Sequence, residues 1–584
     1  MKRTIMTVLC IIAGTNLSSA QVTNPLFIPE LYPGVIDGSE VRVFELDLHP
    51  DKTYFFPGDS TSTYGISSPN VDHSILGPTL YMEKGDVVRL EVTNNLMDTS
   101  TMHWHGFHVD ASNDGGPMTK IPPGTTWKPQ FTSLDYAATY WYHPHLHHHT
   151  EEQVVRGAAA MIIVRDSTEM GLDLPRTYGV DEFPLVFQDR RFDAQNQIEV
   201  TGMGDTMMVN GTMNPHLNVL PQNTRFRMLN GSSERPYFFQ LQSAGGTLIP
   251  FAQIASDGGL LENTIFRDSV SLTNGERLEF VVDFAGWEDS TINLIASPFS
   301  APTIWGWAGT PGNFVGAGAY MDSNIFQVLE LKVGDTQINP TGPVPLTLTT
   351  WTIPSLSEVD RYRTQVMNKN NDTACTGPCY QLNYHDFNMH VPDDTVYLDD
   401  IEVWTIVNTT TSAHPFHIHD VQFYLLSRNG APPQPWNRGR KDDIFVNGLE
   451  TVEFIATFDV FHDPDTAYMY HCHILPHEDG GMMGSFIVIQ DPLSELDDLA
   501  VEELSLNLYP NPTSGFVTIK GLNTQESYKY LRIFNSEGRI VKQTNLNNYS
   551  GHETLTFDLT TYSEGMYYIS IEGDREYFGR LIKQ

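Results

Sequence analysis

Histidine pairs with HxH spacing are the most informative chemical feature of this sequence. They occur in the segments HWHG, YHPHLHHH, HPFHIH and HCHILPHEDGGMM. Residues two apart on a β-strand point to the same face, so each pair can present two imidazoles side by side. One pair alone is weak evidence, but several in one chain indicate a cluster of metal ions. The four pairs are His103/His105, His143/His145, His417/His419 and His471/His473.

Cys472 lies between the last two of these histidines and therefore faces the other side of its strand. Its thiolate can bind a different metal ion, only a few covalent bonds from the histidine cluster. His477 and Met482 follow it, and His414 opens the HPFHIH segment. Two histidines, one cysteine and a weak axial methionine form the blue-copper arrangement for electron transfer. Zinc also accepts His and Cys, but it gains nothing from a thioether or from a connected histidine cluster.

The elements that position these side chains are predicted to be β-strands in several domains. The chain has 584 residues, of which 40% are hydrophobic and 18% charged, and such a composition supports folded cores. Short alternating runs such as VVRLEV, AMIIV and RLEFVVDF are separated by Gly, Pro, Asn and Asp. The formal charge of −37 argues against nucleic acids and anionic membranes as partners.

A repeated strand motif indicates three related β domains. GDVVRLEVTNN, QNTRFRMLNGS and DDIEVWTIVNT each combine a polar turn, an alternating strand and an asparagine. Histidines follow the first and third copies. In the middle copy, Arg235, Phe238 and Gln240 stand in the places of the histidines of HPFHIH. We therefore expect chemistry in the first and third domains, with the second as a spacer.

The N-terminus has the features of a signal peptide over residues 1–20. Lys2 and Arg3 precede a short apolar stretch, and Ser18-Ser19-Ala20 is a small-residue cleavage site. No segment has the length of a transmembrane helix, so we expect an exported protein without a transmembrane segment. Cys375 and Cys379 in ACTGPCY are then close enough for a local disulfide, with a metal-binding pair as the alternative.

The histidine segments closely resemble the copper signatures of multicopper oxidases, over roughly residues 25–490. The likeness is to the three-domain bacterial laccase and cuprous-oxidase type. It implies an all-β fold of three cupredoxin-like β-sandwich domains. The expected segments are a signal peptide (1–20), domain 1 with type 2 and type 3 ligands (25–165), spacer domain 2 (166–335), domain 3 with the type 1 site and further ligands (336–490), an acidic linker (491–504) and a C-terminal domain (505–584).

The resemblance also implies a ligand set for four copper ions. His414, Cys472, His477 and Met482 match the type 1 ligands, and His103 and His417 match the type 2 ligands. The two type 3 coppers would share six histidines: His105, His143, His145, His419, His471 and His473.

Two carboxylates also match the family pattern. Asp114 and Glu478 fall where relatives place acids near the trinuclear cluster, and a positioned carboxylate can relay the protons that oxygen reduction consumes. Asp114 before Gly-Gly is also typical of a turn.

Several other groups are interpreted as structural. His108 and the run 147–149 extend beyond the family motifs and favour solvated or outer positions over ligand roles. Met203, Met207, Met208 and Met213 resemble a copper-binding stretch, but their alternation on β sequence favours core packing.

The segment after the acidic linker resembles the type A sorting domain of the type IX secretion system. Its matching features are YPNPTSG, IFNSEGRIV, SEGMYYISI and the closing LIKQ. The resemblance implies a β-sandwich, type IX secretion machinery as a partner, and a secreted or cell-surface location. An ordinary adhesion-like sandwich is the alternative.

These features together predict a monomeric, laccase-type multicopper oxidase. A small phenol or aromatic amine would give up electrons near an exposed edge of His414 or His477, and O2 would be reduced to water. The alternatives are a metallo-oxidase acting on Cu(I), Fe(II) or Mn(II), and a non-catalytic copper-binding protein. A copper nitrite reductase would not need the additional HxH pairs.

Overall fold

The structure, a computed structural model, describes residues 23–298, 320–370, 379–491, 506–536, 538–547, 553–573 and 576–584. The predicted signal peptide, Cys375 and nearly all of the predicted linker lie outside these residues. Contacts divide the chain into two compact units, Met1–Ile489 and Gln490–Gln584. Among the described residues no helix is long and apolar enough to cross a membrane.

The prediction of an all-β protein is confirmed. In the described part of the chain the α-helices are single short turns of four to six residues, between sheets that contain most of the ordered backbone. The helices are α1 (Ala111–Asp114), α2 (Thr150–Val155), α3 (Ser167–Met170) and α4 (Leu475–Asp479), with 3-10 turns at Tyr320–Asp322, Leu356–Glu358 and Pro435–Asn437.

The first sandwich packs a six-stranded sheet against a five-stranded sheet. Strand VVRLEVTN alternates between inward apolar and outward polar residues, as a strand with one buried face must. The core of the first sandwich contains Trp104, Tyr140 and Tyr142. The strands are β2 (Leu31–Tyr32), β3 (Val35–Ile36), β4 (Arg42–Thr53), β5 (Thr61–Ser67), β6 (Thr79–Glu83), β7 (Val87–Asn94), β8 (His103–His105), β9 (Thr125–Trp127), β10 (Gln130–Thr132), β11 (Ala138–His143) and β12 (Ala160–Arg165).

The second sandwich contains a seven-stranded and an eight-stranded sheet around a core rich in phenylalanine. The short β1 (Asn24–Pro25) joins it by pairing with β17. Its other strands are β13 (Glu182–Phe192), β14 (Ile198–Glu199), β15 (Thr206–Val209), β16 (Thr212–Met213), β17 (Pro215–Val219), β18 (Asn223–Asn230), β19 (Tyr237–Ser243), β20 (Leu248–Ile249), β21 (Phe251–Ser256), β22 (Gly259–Arg267), β23 (Val270–Leu272), β24 (Arg277–Asp283), β25 (Thr291–Ser297) and β26 (Phe326–Val333).

The third sandwich packs a six-stranded sheet on a five-stranded sheet, and Cys472 and Met482 belong to its core. Its strands are β27 (Arg361–Lys369), β28 (Tyr380–Leu382), β29 (Asp394–Tyr397), β30 (Ile401–Asn408), β31 (His414–Ile418), β32 (Phe423–Arg428), β33 (Arg440–Lys441), β34 (Asp443–Val446), β35 (Thr451–Thr457), β36 (Asp463–Cys472) and β37 (Met483–Ile489).

The C-terminal unit is a separate small sandwich of a three-stranded and a four-stranded sheet with its own core. Its strands are β38 (Asn507–Tyr509), β39 (Phe516–Lys520), β40 (Tyr528–Asn535), β41 (Ile540–Asn545), β42 (Thr554–Asp558), β43 (Gly565–Gly573) and β44 (Glu576–Lys583).

The asparagine of the repeated motif has the same structural role in all three copies. Asn94, Asn230 and Asn408 end β7, β18 and β30. Each side-chain oxygen accepts the backbone N–H two residues later. Each amide donates to one carbonyl of the following loop and to another carbonyl farther along the chain. This Asx turn holds the segment that leads, in the first and third sandwiches, to the HxH strands.

Charged side chains of the second sandwich form a buried network against the first. The alternating residues Arg225 and Arg227 of β18 are buried, and both donate to Glu279 at 2.5 Å. Thr139 of the first sandwich also donates to Glu279, at 2.7 Å. Burial alone would raise the pKa of Glu279, but the two guanidiniums lower it by more, so the pKa falls below its ordinary value. The carboxylate is therefore ionised and paired. This network joins the second sandwich to the first, which carries two of the histidine segments.

Glu279→Gln is expected to destabilise the protein strongly. The substitution removes one negative charge and leaves Arg225 and Arg227 buried with incomplete pairing. Such a defect lowers the free energy of unfolding by about 3–5 kcal/mol. The matched control is Lys128→Gln, which removes a surface pair with Glu91 whose lysine side chain is 54% exposed, and costs less than about 1 kcal/mol. Chemical denaturation of both variants measures the difference. Equal losses of stability would contradict the assignment of the network as a stabilising contact.

Candidate metal centre

Cys472 lies at the end of β36, where it meets two histidines in the core of the third sandwich. Its Sγ is 3.6 Å from His414 Nδ1 and 3.5 Å from His477 Nδ1. His414 begins β31, which pairs antiparallel with β36, and His477 lies in α4 directly after the strand. The Cys472 N–H donates to the Met482 carbonyl at 3.0 Å, so the loop returns Met482 beside the cysteine. All four residues are buried.

The other predicted histidine ligands form three groups made of histidines alone, between the first and third sandwiches, and His105 and His417 form a further group with Asp443. Within each group, one potential ligand atom per residue lies within 4.8 Å of the others. The groups made of histidines alone are His103, His417 and His419; His105, His143 and His473; and His145, His419 and His471. The structure therefore brings together every histidine of the four HxH pairs.

Strand register explains how residues so distant in sequence meet. On one side, β8 pairs with β11, which sets His103 opposite His143. On the other, β31 pairs with β36, which sets His417 opposite His471. The two strand pairs face each other, so the His103 ring stacks on His419 at a centroid distance of 3.9 Å. Each sandwich thus supplies half of the cluster.

The buried imidazoles have the chemistry of metal ligands without competing partners. Burial lowers the pKa of His414 and His473 to about 3 and that of His419 to about 4, so these rings are neutral with free lone pairs. Several of the ring nitrogens have no hydrogen-bond partner, which is costly in a protein interior unless another group binds them. They are His103 Nε2, His105 Nδ1, His143 Nε2, His417 Nε2, His419 Nε2 and both ring nitrogens of His473.

Copper fits these donors. Imidazole suits several first-row metals, but a thiolate with two histidines and a nearby thioether favours copper. Burial raises the pKa of Cys472 well above its ordinary value, so a metal must displace the thiol proton to bind.

Copper loading is expected to raise the thermal unfolding temperature by at least about 5 °C, since a ligand that binds only the folded state stabilises it by mass action. Binding satisfies the buried imidazole nitrogens, which the unfolded chain exposes to water. Calorimetry of copper-loaded protein, and of the same sample after removal of copper by a chelator, measures the shift. Identical unfolding temperatures would contradict the fit of copper to these groups.

The two predicted carboxylates contact different pairs of histidines. Asp114 Oδ2 accepts from His419 Nδ1 at 2.8 Å, and the Asp114 carbonyl accepts from His103 Nδ1 at 3.0 Å. Glu478 lies at ion-pair distance from His145 Nδ1 (3.3 Å) and His471 Nδ1 (3.4 Å). Burial favours the neutral form of both acids. At Asp114 the contacts with His419 and His103 outweigh the effect of burial, so the pKa of Asp114 is lowered. At Glu478 burial dominates and raises the pKa well above its ordinary value.

Arg277 and Asp442 are further residues at the cluster that the sequence analysis did not identify. Asp442 accepts from His417 Nδ1 through its carbonyl at 2.8 Å, and its Oδ1 lies 3.2 Å from His105 Nε2. Arg277, from β24 of the second sandwich, donates to Asp442 Oδ1 at 2.6 Å. Such outer contacts orient ligand rings. The only sequence signal was an isolated KDD triplet, which does not point to a partner 165 positions away.

The prediction of an exposed histidine edge at the cysteine site is wrong for His414, which is 0% exposed, while His477 retains 6%. The half-buried ring of Tyr380 covers both, at centroid distances of 4.6 and 4.5 Å. Tyr380 directly follows Cys379, which is disulfide-bonded.

The residues interpreted as structural lie outside the histidine groups. His148 and His149 are exposed, and the half-buried His147 packs on Phe387. His108 Nδ1 lies 2.8 Å from Asp420 Oδ1. Met203 and Met208 are buried, as expected for core packing, and Met207 and Met213 are half-buried.

Comparison with known proteins identifies the same segments. The multicopper oxidase family profiles match residues 61–169 and 351–492, and the secretion system C-terminal sorting domain profile matches 507–584. The chain is 31% identical to multicopper oxidase mco of Staphylococcus haemolyticus over 81% of this chain and 94% of that protein.

Two further similarities cover most of the chain. The chain is 30% identical to cell division protein FtsP of Escherichia coli, over 74% of this chain and 87% of that protein. The crystal structure of a laccase from Pediococcus acidilactici superposes with a TM-score of 0.67 and 33% identity, over 80% of this chain and 94% of that one. These similarities extend over all three cupredoxin-type sandwiches.

Proposed function

We propose that this chain, which belongs to the multicopper oxidase family, is a laccase-type enzyme. In this proposal a phenol or aromatic amine is oxidised by one electron at the cysteine site. Four such electrons reduce O2 to two molecules of water at the histidine cluster. The observation that carries the proposal is the covalent continuity of His471, Cys472 and His473, whose side chains lie in three different metal-binding groups.

The proposed copper ligands follow the observed groups. His414, Cys472, His477 and Met482 would hold the type 1 ion, and His103 and His417 the type 2 ion. The type 3 pair would be held by two sets of three: His105, His143 and His473, and His145, His419 and His471. Bound copper would supply one-electron redox chemistry at the first site and oxygen binding at the others.

The protein residues hold the donors and carry the electrons and protons. Cys472 is bonded through the backbone to His471 and His473. An electron from the cysteine site can therefore reach the histidine cluster through covalent bonds, without crossing a gap through space. The ionised Asp114 orients His419 and His103. Glu478, beside His145 and His471, is placed to deliver protons to reduced oxygen. Burial of all these side chains excludes bulk water from the reaction.

The proposed location is outside the cell. The C-terminal sorting domain implies secretion or a cell-surface position through the type IX machinery. We propose that residues 1–20 act as the signal for the first export step.

A non-catalytic copper-binding role is the second candidate, since one similar protein is named for cell division and not for oxidation. The buried histidine groups beside the Cys472 group, with several ring nitrogens that have no hydrogen-bond partner, support the enzyme instead.

Oxygen uptake by the copper-loaded protein tests the proposal. We compare 2,6-dimethoxyphenol and p-phenylenediamine with Cu(I), Fe(II) and Mn(II) as reductants. Rapid uptake with the organic compounds is expected. Uptake with one metal ion alone would replace the laccase assignment with a metallo-oxidase. No uptake at full copper loading would leave a copper-binding protein.

A further inference from the structure

The ring of Tyr380 contacts both histidines of the cysteine site. Its ring contacts His414 edge-on, with planes at 68°, and His477 at 50°. The two histidine rings are themselves 5.1 Å apart, so the three rings form a compact triangle. Tyr380 is the half-buried member, whereas both histidines are buried. A reductant that approaches these histidines from the Tyr380 side therefore meets the tyrosine ring first.

The surrounding contacts hold this ring in place. The Tyr380 hydroxyl and Ser412 Oγ are 3.0 Å apart, and Ser412 lies two residues before His414. On the backbone side, Tyr380 begins β28, and its neighbour Cys379 is disulfide-bonded and accepts the Asn370 N–H at 2.6 Å. Anchors at both the backbone and the hydroxyl group fix the ring orientation. Such a fixed aromatic surface loses little conformational entropy when a planar partner stacks on it.

We propose that Tyr380 determines donor specificity because aromatic reductants stack on its ring, beside the type 1 histidines. The inference rests on the proposed laccase function. A phenol bound on the exposed side of the ring loses one electron to the cysteine site and its hydroxyl proton to water, and leaves as a neutral phenoxyl radical. The electron is one of the four that reduce O2. Hydrated metal ions gain no stacking from the ring, so Tyr380 favours phenols and aromatic amines over metal ions.

The test compares three copper-loaded variants with the wild-type protein by oxygen uptake. Tyr380→Leu removes the aromatic ring, Tyr380→Phe keeps it, and Tyr362→Leu is the matched control on an exposed tyrosine of neighbouring β27. Loss of an aromatic contact is expected to raise KM for 2,6-dimethoxyphenol and p-phenylenediamine about tenfold in Tyr380→Leu. KM for Fe(II) stays within about twofold, as do all values for Tyr380→Phe and Tyr362→Leu.

Spectroscopy separates a specificity role from a structural one. The blue absorption band and the reduction potential of the type 1 site are expected to match wild type in Tyr380→Phe. The band is also expected to persist in Tyr380→Leu. Unchanged KM values in Tyr380→Leu, or an equal rise for Fe(II) and the phenol, would overturn the inference. Loss of the blue band would assign Tyr380 to site assembly and overturn it too. Wild-type protein inactive with every reductant would instead refute the proposed function.

Discussion

Replacing Cys472 with serine is expected to abolish the blue absorption band and to lower oxygen uptake with every reductant by more than about 100-fold, beyond the 10–100-fold typical of outer partners of metal ligands. The hydroxyl is a poor ligand for copper at a soft site, and the connection between the substrate side and the cluster is lost. Serine is close to cysteine in size, so the buried core of the third sandwich is retained.

The copper content provides the control for this variant. The three histidine groups do not require the thiolate, so the expected stoichiometry falls from four ions to three. A variant that keeps the blue band, or that oxidises phenols at the wild-type rate, would contradict the assignment of Cys472. Loss of all copper with an altered far-ultraviolet circular dichroism spectrum would instead indicate a folding defect.

Glu478→Gln is expected to lower kcat for all reductants by about 100-fold, the range of a positioned general acid. The carboxyl group lies beside His145 and His471, and burial raises its pKa. It can take up and release a proton, which the amide cannot. The cysteine site is unchanged by this substitution. Anaerobic reduction of the blue band therefore proceeds at the wild-type rate, and reoxidation by O2 becomes slow.

The matched control for Glu478→Gln is Glu152→Gln, which changes a partly exposed acid of α2 whose side chain is 41% exposed. This variant should behave as wild type in both half-reactions. Equal reoxidation rates for Glu478→Gln and wild type would remove Glu478 from the proton route. A slower anaerobic reduction would show that the substitution disturbs the cysteine site instead.

The sequence was sufficient for the features that depend on local periodicity. The period of two along a strand predicted that His471 and His473 share a face while Cys472 takes the other. The repeated motif ending in Asn94, Asn230 and Asn408 indicated three related sandwiches. Alternation does not determine exposure, however: Arg225 and Arg227 alternate with apolar residues in β18, yet both are buried against Glu279.

Only the tertiary structure decided which faces meet. Strand periodicity predicts which face of a strand a side chain takes, but it does not predict which element lies opposite that face. Strand register and sandwich packing decide that, and they bring together residues hundreds of positions apart. The stacking of His103 on His419, the Arg277–Asp442 pair behind His105, and the cover of Tyr380 over His414 are all contacts of this kind. The donors were therefore readable in the sequence, whereas their grouping, their supporting charges and their access to substrate came from packing.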